Sequence, residues 1–213
     1  ISSGMMARPS PWPGRGFKLG GMNYLAHLHL GGDAPAELLG SLYGDFVKGP
    51  LAGRWPAAIE AGIALHRRID AFTDSHPLQA RARARFPAAR RRVAGIFLDL
   101  FFDHCLARDW QRYSDQPLQR FTDRVYRVLA AEPQLPGSLQ HIAPRMAAQD
   151  WLGSYEQFEV LEQVIAGMSR RLSRPGLLDG GLDDLRRLYE PLSEDFSAFY
   201  PALMAFAREQ RGA

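Results

Sequence analysis

A nearly continuous apolar segment at residues 95–106 carries two carboxylates. It reads Gly-Ile-Phe-Leu-Asp-Leu-Phe-Phe-Asp-His-Cys-Leu, and the acids are Asp99 and Asp103. A helix that is apolar almost all round is expected to be buried. An ionised Asp inside such a helix is very costly unless it is paired or binds a cation. The segment therefore predicts a polar site inside an otherwise apolar helical bundle.

The remainder of the chain has helical rather than strand periodicity. Apolar residues recur at spacings of three or four, as at Leu118, Phe121 and Val125, and strand-like alternation is absent. We predict helices at about 36–47, from Pro56 to 74, at 78–92 with a break near Pro87, at 93–108 and at 116–131, followed by further helices. Asp33 is expected to be the N-cap of the second helix. The fold class is all-α, a multi-helix bundle.

The 213 residues suit one domain with a sizeable core. We place that domain at 22–213. Residues 1–21 are rich in Pro and Gly and are expected to form a flexible extension. The single cysteine, Cys105, allows no intramolecular disulfide and suggests a reducing, cytoplasmic location. No apolar stretch reaches eighteen residues, so no membrane span is expected.

The formal charge is only +3, but basic residues are concentrated in one segment. Residues 75–98 contain no acid, and six arginines lie there: Arg81, Arg83, Arg85, Arg90, Arg91 and Arg92. A local basic surface on a nearly balanced protein predicts an anionic partner. The alternatives are a solvated basic face or nonspecific contact with nucleic acid.

The titratable side chains of the third helix repeat every four residues. His66, Asp70 and Asp74 therefore share one face, because residues four apart lie one above the other on a helix. Asp103 and His104 supply a second acid and imidazole. Mixed imidazole and carboxylate ligands suit Mn²⁺, Mg²⁺ or Fe²⁺ better than a structural zinc site. A solvated, ion-paired face is the alternative for the third helix.

Three other positions allow both a structural and a functional interpretation. Asp45, near the end of the second helix, is either a turn residue or a metal carboxylate. His27 and His29 are two apart, so only one can point into a given site, and each by itself suggests a capped or solvent-facing histidine. Cys105 is expected to be a buried, inert thiol.

Several short motifs together resemble the acyl carrier protein phosphodiesterase family. They are Met22-Asn23-Tyr24-Leu25-Ala26-His27-Leu28-His29-Leu30, Gly44-Asp45-Phe46-Val47-Lys48-Gly49, His66-Arg67-Arg68-Ile69-Asp70, Thr73-Asp74, Asp103-His104 and Phe199-Tyr200-Pro201. The resemblance covers about Met22 to Phe206. It implies an all-helical fold like that of the HD metal-dependent phosphohydrolases and a divalent cation, most often manganese. It also implies removal of 4′-phosphopantetheine from holo acyl carrier protein, which leaves the apo form.

The resemblance also suggests roles for individual residues. It indicates Asp45 as catalytic or metal-binding, and His66, Asp70, Asp103 and His104 as the rest of the site. We expect Arg67 or Arg68 to offset charge on the phosphoryl oxygens and one His to act as the acid for the leaving serine. The arginine-rich helix would dock the acidic carrier protein, with neither a membrane nor a specific nucleic acid as partner.

Two other functions remain open at this stage. One is an HD-type phosphohydrolase acting on a nucleotide or another small phosphoester, which would need the metal site but not the basic helix. The other is a non-catalytic, basic helical protein that binds a carrier protein or nucleic acid. That protein would need the arginine face but not Asp103 in an apolar helix.

Overall fold

The computed structural model describes residues 24–170 and 176–212, and within these ranges it is helical with no strand. The expected extension at 1–21 lies outside the described residues. Eleven α-helices follow in order: α1 Tyr24–Gly31, α2 Pro35–Phe46, α3 Ala57–Ser75, α4 Pro77–Arg85, α5 Ala94–Arg108, α6 Leu118–Ala131, α7 Leu139–Ala148, α8 Trp151–Ser154, α9 Val160–Ser169, α10 Gly181–Arg187 and α11 Tyr189–Gly212. Short 3₁₀ turns at Ala88–Arg90 and Trp110–Arg112 flank α5. The all-α prediction is confirmed.

Helix α5 is the buried centre of the molecule, as its apolar sequence predicts. Phe97, Leu98, Leu100, Phe101 and Leu106 are fully buried there. The N-terminus of α1 lies against α5, and α11 packs on α3, α4 and α5. The polar residues of α5 are therefore surrounded by other helices, which must supply their partners.

Helices α2 and α3 approach each other unusually closely. A Cβ placed on Gly40 would lie 2.7 Å from the Cα of Gly62, and one on Gly62 would lie 2.9 Å from the Cα of Gly40. Only glycine at both positions permits this separation of the two backbones. The contact holds the C-terminal half of α2 beside the middle of α3, where the sequence places its candidate site residues.

Some helix boundaries differ from those predicted from the sequence, because local hydrogen bonds and prolines determine where each helix begins and ends. Asp33 is not the N-cap of α2: the cap is Ala34, whose N–H donates to the Glu37 carboxylate at 2.9 Å. Asp33 instead pairs with Arg124 on α6. The arginine-rich segment ends as a helix at Arg85 and continues as a 3₁₀ turn after Pro87. Among the helices of the described residues, none combines the length and the apolar content that a membrane span requires.

Candidate metal centre

Two imidazoles and a carboxylate from α1 and α3 meet in one group. His27, His66 and Asp70 each offer a possible ligand atom, and these atoms all lie within 4.8 Å of one another. The Asp70 carboxylate bridges the Nε2 atoms at the edges of the two rings, with Oδ1 3.0 Å from His27 Nε2 and Oδ2 3.3 Å from His66 Nε2. The two rings are stacked with their centroids 3.7 Å apart. The pair His66 and Asp70, predicted from its spacing, thus faces inward rather than toward solvent alone.

Asp45 brings the end of α2 to the same group. Its Oδ1 lies 3.9 Å from His66 Nε2, and its side chain is only 5% exposed. Its Oδ2 is buried and has no hydrogen-bond partner among the described residues. Arg67 donates from Nη2 to the carbonyl oxygen of Val47 at 3.0 Å, which ties α3 to the residue after α2. This tie keeps Asp45 next to His66.

The backbone of α2 fixes the orientation of the His66 ring by bonding the nitrogen that faces away from the carboxylates. Its Nδ1 lies 2.8 Å from the carbonyl oxygen of Ser41, so Nδ1 donates there and Nε2 faces the carboxylates. Histidines that bind metals are commonly held in this way, with the second ring nitrogen donating to a carbonyl. Gly44 makes room for the ring, because a Cβ at that position would lie 2.2 Å from His66 Cγ.

The electrostatics of the site combine buried side chains, those of His27, His66 and Asp45, with an Asp70 side chain that is 44% exposed. Burial raises the pKa of Asp45 to about 7, and the nearby Asp70 charge adds to the rise. Burial lowers the pKa of His27 to about 4, helped by the charge of His66. Burial also acts to raise the pKa of Asp70, but hydrogen bonds with His27 and His66 bring it below the ordinary value. A bound cation would relieve the repulsion between the two carboxylates.

The donor set fits a divalent cation. Nitrogen from two imidazoles and oxygen from two carboxylates is the mixture that Mn²⁺, Fe²⁺ and related ions accept. A buried carboxylate oxygen beside the group, Asp45 Oδ2, has no hydrogen-bond partner among the described residues. Buried polar atoms without a protein partner are uncommon in native proteins. The residues that could hold an ion here are His27, Asp45, His66 and Asp70.

The structure gives Asp103 a different set of partners. Its Oδ2 accepts from the N–H of Leu25 at 3.0 Å and its Oδ1 from that of Ala26 at 2.9 Å. Both oxygens therefore bind the first turn of α1, whose free N–H groups and dipole favour an anion. Burial raises the pKa of Asp103 to about 8, against the effect of the two amide bonds. Asp103 thus orients the helix that carries His27 and lies outside the group of ligand atoms.

Asp99, one turn before Asp103, lies in the same electrostatic environment. Burial raises the pKa of Asp99 well above its ordinary value, and the charges of Asp70, Asp103 and Asp45 raise it further. The four carboxylates therefore act on one another across α2, α3 and α5. Of the two acids of the apolar helix, Asp103 is fully buried, whereas Asp99 is only partly buried.

His104 lies apart from this group. Its Nδ1 is 2.7 Å from the carbonyl oxygen of Tyr155, and its Nε2 is 2.8 Å from the hydroxyl of Tyr189. Both ring nitrogens thus bond the residue that follows α8 and the first residue of α11 rather than Asp70. The physical reason is that adjacent residues on a helix point about 100° apart, so Asp103 and His104 face different neighbours.

Most of the six arginines make internal ion pairs. Arg81 and Arg85 both bind the fully buried carboxylate of Asp195 on α11. Arg83 pairs with Asp74, and Arg90 pairs with Asp184. Two of the six remain exposed without a carboxylate partner in the described part of the chain: Arg91 and Arg92. The segment is therefore less positive at its surface than its sequence indicates.

His27 is the site residue that the sequence reasoning did not include. The spacing of His27 and His29 showed that only one could enter a given site, but not which. In the structure His29 bonds Tyr200 and the Tyr113 carbonyl, while His27 points to Asp70. The available signal was the apolar surroundings of both histidines in α1, since a buried imidazole must find a partner.

The fold and the site together define an all-helical protein with a partly exposed imidazole–carboxylate group, whose donor atoms are of the types that bind divalent cations. Comparison with known families then shows that the chain belongs to the acyl carrier protein phosphodiesterase family, whose model matches residues 22–203. The family resemblance inferred from the sequence motifs is confirmed. No solved structure matches this chain, so the HD-like part of the fold prediction stays a prediction.

Curated relatives cover nearly the whole chain. A protein of Serratia proteamaculans named acyl carrier protein phosphodiesterase is 40% identical over 192 residues, which are 89% of this chain and 100% of the relative. A protein of the same name from Yersinia enterocolitica is 38% identical over 192 residues, with the same coverage of both chains. One from Pectobacterium atrosepticum is 39% identical over 194 residues, 89% of this chain and 100% of the relative.

Proposed function

We propose that this protein hydrolyses the phosphodiester between 4′-phosphopantetheine and a serine of holo acyl carrier protein. Water adds to phosphorus, the bond from phosphorus to the serine oxygen breaks, and that oxygen takes up a proton. The products are apo carrier protein and 4′-phosphopantetheine. The observation that carries the proposal is the convergence of His27, His66 and Asp70 within 4.8 Å, in a chain of this family.

The proposed cofactor is a divalent cation, most simply Mn²⁺, with Mg²⁺ or Fe²⁺ as alternatives. Such an ion, when bound, lowers the pKa of a coordinated water and polarises a phosphoryl oxygen. His27, Asp45, His66 and Asp70 would hold it. Gly44 and the Ser41 carbonyl keep the His66 ring in the orientation that this requires.

In this proposal the other predicted site residues position the ligands or contact the substrate. Asp103 anchors the N-terminus of α1 and so positions His27. Arg67 holds the end of α2 through the Val47 carbonyl, and its remaining guanidinium N–H groups can meet phosphoryl oxygens. The family resemblance predicts proton transfer by His104, and this role stays a prediction. In the structure, the ring nitrogens of His104 bond Tyr155 and Tyr189.

The test of the activity is incubation with holo carrier protein and Mn²⁺, followed by intact-mass measurement. Loss of the mass of the phosphopantetheine arm is the expected result. Asp45→Asn is expected to lower the rate by more than about tenfold, since even changes to the residues around a metal's ligands reduce affinity or activity 10–100-fold. Asp123→Asn, an exposed acid on α6, is the matched control. Hydrolysis of small phosphoesters without release from the carrier protein would favour the small-substrate alternative.

The proposed partner is an acidic carrier protein in its holo form. Arg91 and Arg92 are the residues of the arginine-rich segment best placed to attract it, because they are exposed and unpaired with carboxylates in the described chain. Charge reversal at both should raise KM for the carrier protein more at low salt than at high salt. The exposed arginines Arg120 and Arg127 on α6 offer the matched double reversal. Equal effects of both pairs would contradict specific docking.

A cytoplasmic location completes the proposal. Cys105, the chain's one cysteine, is a buried free thiol. Proteins of reducing compartments commonly keep their cysteines in this state.

A further inference from the structure

Lys48 is the one lysine among the described residues, in a chain that otherwise uses arginine. Of the 26 basic residues only two are lysines, Lys18 and Lys48, and Lys18 lies outside the described ranges. The two kinds of side chain are not equivalent, because an ammonium is a compact charge on a flexible stem, whereas a guanidinium is a planar fork. The exception at position 48 therefore points to a place where an ammonium has a specific use.

The contacts of Lys48 place its ammonium beside the proposed metal centre. Its Nζ donates to the carbonyl oxygen of Gly44 at 3.4 Å. Gly44 lies directly against His66, since a Cβ built on Gly44 would be 2.2 Å from Cγ of that ring. The residue after Gly44 is Asp45, whose Oδ1 is 3.9 Å from His66 Nε2. A single glycine therefore connects the ammonium to two of the proposed ligands.

The charge of Lys48 acts on the site without being neutralised there. Burial raises the pKa of Asp45 to about 7, and the charge of Lys48 acts on Asp45 in the opposite direction. The described residues nevertheless give Lys48 no carboxylate partner, and Lys48 is exposed. Its bond to Gly44 is longer than the usual N–H···O distance of about 2.7–3.2 Å and uses one of the ammonium's donors. The remaining donors of an accessible cation are free to bind an anion.

The C-terminal end of α2 is a place where a phosphate would need such a cation. This end of a helix carries partial negative charge, because its last carbonyls lack partners within the helix. The carboxylates of Asp45 and Asp70 add to that charge, and the Asp70 side chain is 44% exposed. Arg67 bonds the Val47 carbonyl at the same helix end. Lys48 and Arg67 thus supply positive charge where an anionic substrate would otherwise be repelled.

We propose that Lys48 binds a non-bridging oxygen of the substrate's phosphate group through Nζ. The identity of the phosphate as that of 4′-phosphopantetheine rests on the function proposed above. A lysine binds a phosphate as a compact point charge, and its flexible stem lets the ammonium leave the Gly44 carbonyl for this contact. Lys48 is therefore a substrate-binding residue outside both the ligand group and the arginine-rich segment.

Reductive methylation of the full chain with Mn²⁺ present tests this contact without any substitution. Peptide mass spectrometry reads the extent of modification at Lys48, with Lys18 as the control within the same molecule. The two probes are 4′-phosphopantetheine and pantetheine, which differ by the phosphate alone. At about 100 times its Kd, 4′-phosphopantetheine should slow modification of Lys48 by more than about tenfold, because about 1% of the sites stay free. Pantetheine should protect neither lysine, and equal modification of Lys48 with either probe would overturn the proposal.

Calorimetric titration of variants measures the strength of the contact. Lys48→Ala should weaken binding of 4′-phosphopantetheine about 10–100-fold, the range for losing one hydrogen bond to a charged group, and leave pantetheine binding unchanged. Lys48→Arg should recover only part of the preference. Arg54→Ala is the matched control, because Arg54 is an exposed cation of the same α2–α3 connection. It precedes α3, whereas His66 is nine residues into that helix, about 13 Å further along the axis.

Two other roles of Lys48 give different results. A lysine near a helix C-terminus can cap the last carbonyls. If that is its role, Lys48→Ala will lower the thermal midpoint and keep the preference for the phosphorylated probe, and the proposal would be overturned. A higher KM for holo carrier protein, with unchanged binding of both small probes, would show that Lys48 docks the carrier protein and would overturn it equally. An unchanged midpoint with loss of the preference supports it.

The outcome is separable from that of the proposed function. A wild-type protein that binds 4′-phosphopantetheine through Lys48 but releases nothing from holo carrier protein would contradict the function and leave the phosphate contact standing. A wild-type protein that releases the arm, while neither probe protects Lys48, would contradict the role of Lys48 alone.

Discussion

Replacement of Asp103 by alanine separates a structural carboxylate from a metal ligand. The Asp103 side chain is fully buried and accepts from the N–H groups of Leu25 and Ala26 at 3.0 and 2.9 Å. Asp103→Ala leaves both amides buried without an acceptor. Each such group costs about 1–3 kcal/mol, which gives about 2–6 kcal/mol in total.

Part of this cost is offset, because the substitution also removes a carboxylate that is unfavourable to bury. Its raised pKa, about 8, reflects that burial. We therefore expect the lower half of the range, about 2–4 kcal/mol of unfolding free energy. That is a large fraction of the 5–15 kcal/mol typical of a domain. Asp103→Asn keeps one acceptor oxygen and should lose less.

The assay is urea denaturation followed by circular dichroism, with Mn²⁺ affinity measured separately on protein that is still folded. We expect a lower denaturation midpoint with an unchanged slope. Wild-type stability of Asp103→Ala combined with complete loss of Mn²⁺ binding would refute the reasoning, since Asp103 would then be a ligand and not the anchor of α1.

Three further outcomes follow from the same contacts. Gly44→Ala should cost about 1–3 kcal/mol through overpacking and weaken Mn²⁺ binding, because its Cβ would overlap the His66 ring; unchanged affinity in calorimetry would contradict this. Asp195→Ala should lower unfolding free energy by about 1–3 kcal/mol, since Arg81 and Arg85 lose their shared carboxylate but can reach water; thermal unfolding measures it. Mn²⁺ at about 100 times its Kd should stabilise the wild-type protein by about 2.7 kcal/mol, and a chelator should reverse this effect. A thermal unfolding midpoint that does not change on addition of Mn²⁺ would argue against the site.

The arrangement of the site explains why an apolar bundle contains so many acids. Asp45, Asp70, Asp99 and Asp103 come from three helices and influence one another's ionisation. Asp103 accepts two hydrogen bonds from the first turn of α1, and Asp70 contacts two imidazole nitrogens. Asp45 keeps a buried oxygen without a partner in the described chain. A cation bound at this uncompensated carboxylate oxygen would contribute most to the stability of the site.

Local sequence was sufficient for the helical class, the buried helix α5 and the inward face of α3. These depend on hydrophobic periodicity and on the four-residue repeat of His66 and Asp70, which are properties of a single helix. The tertiary structure alone decided that His27 rather than His29 joins Asp70, that Asp103 binds the backbone of α1, and that His104 faces elsewhere. It likewise decided which arginines are paired. The physical reason is that a helix determines which side chains share a face, whereas the packing of other helices against that face determines what those side chains bind.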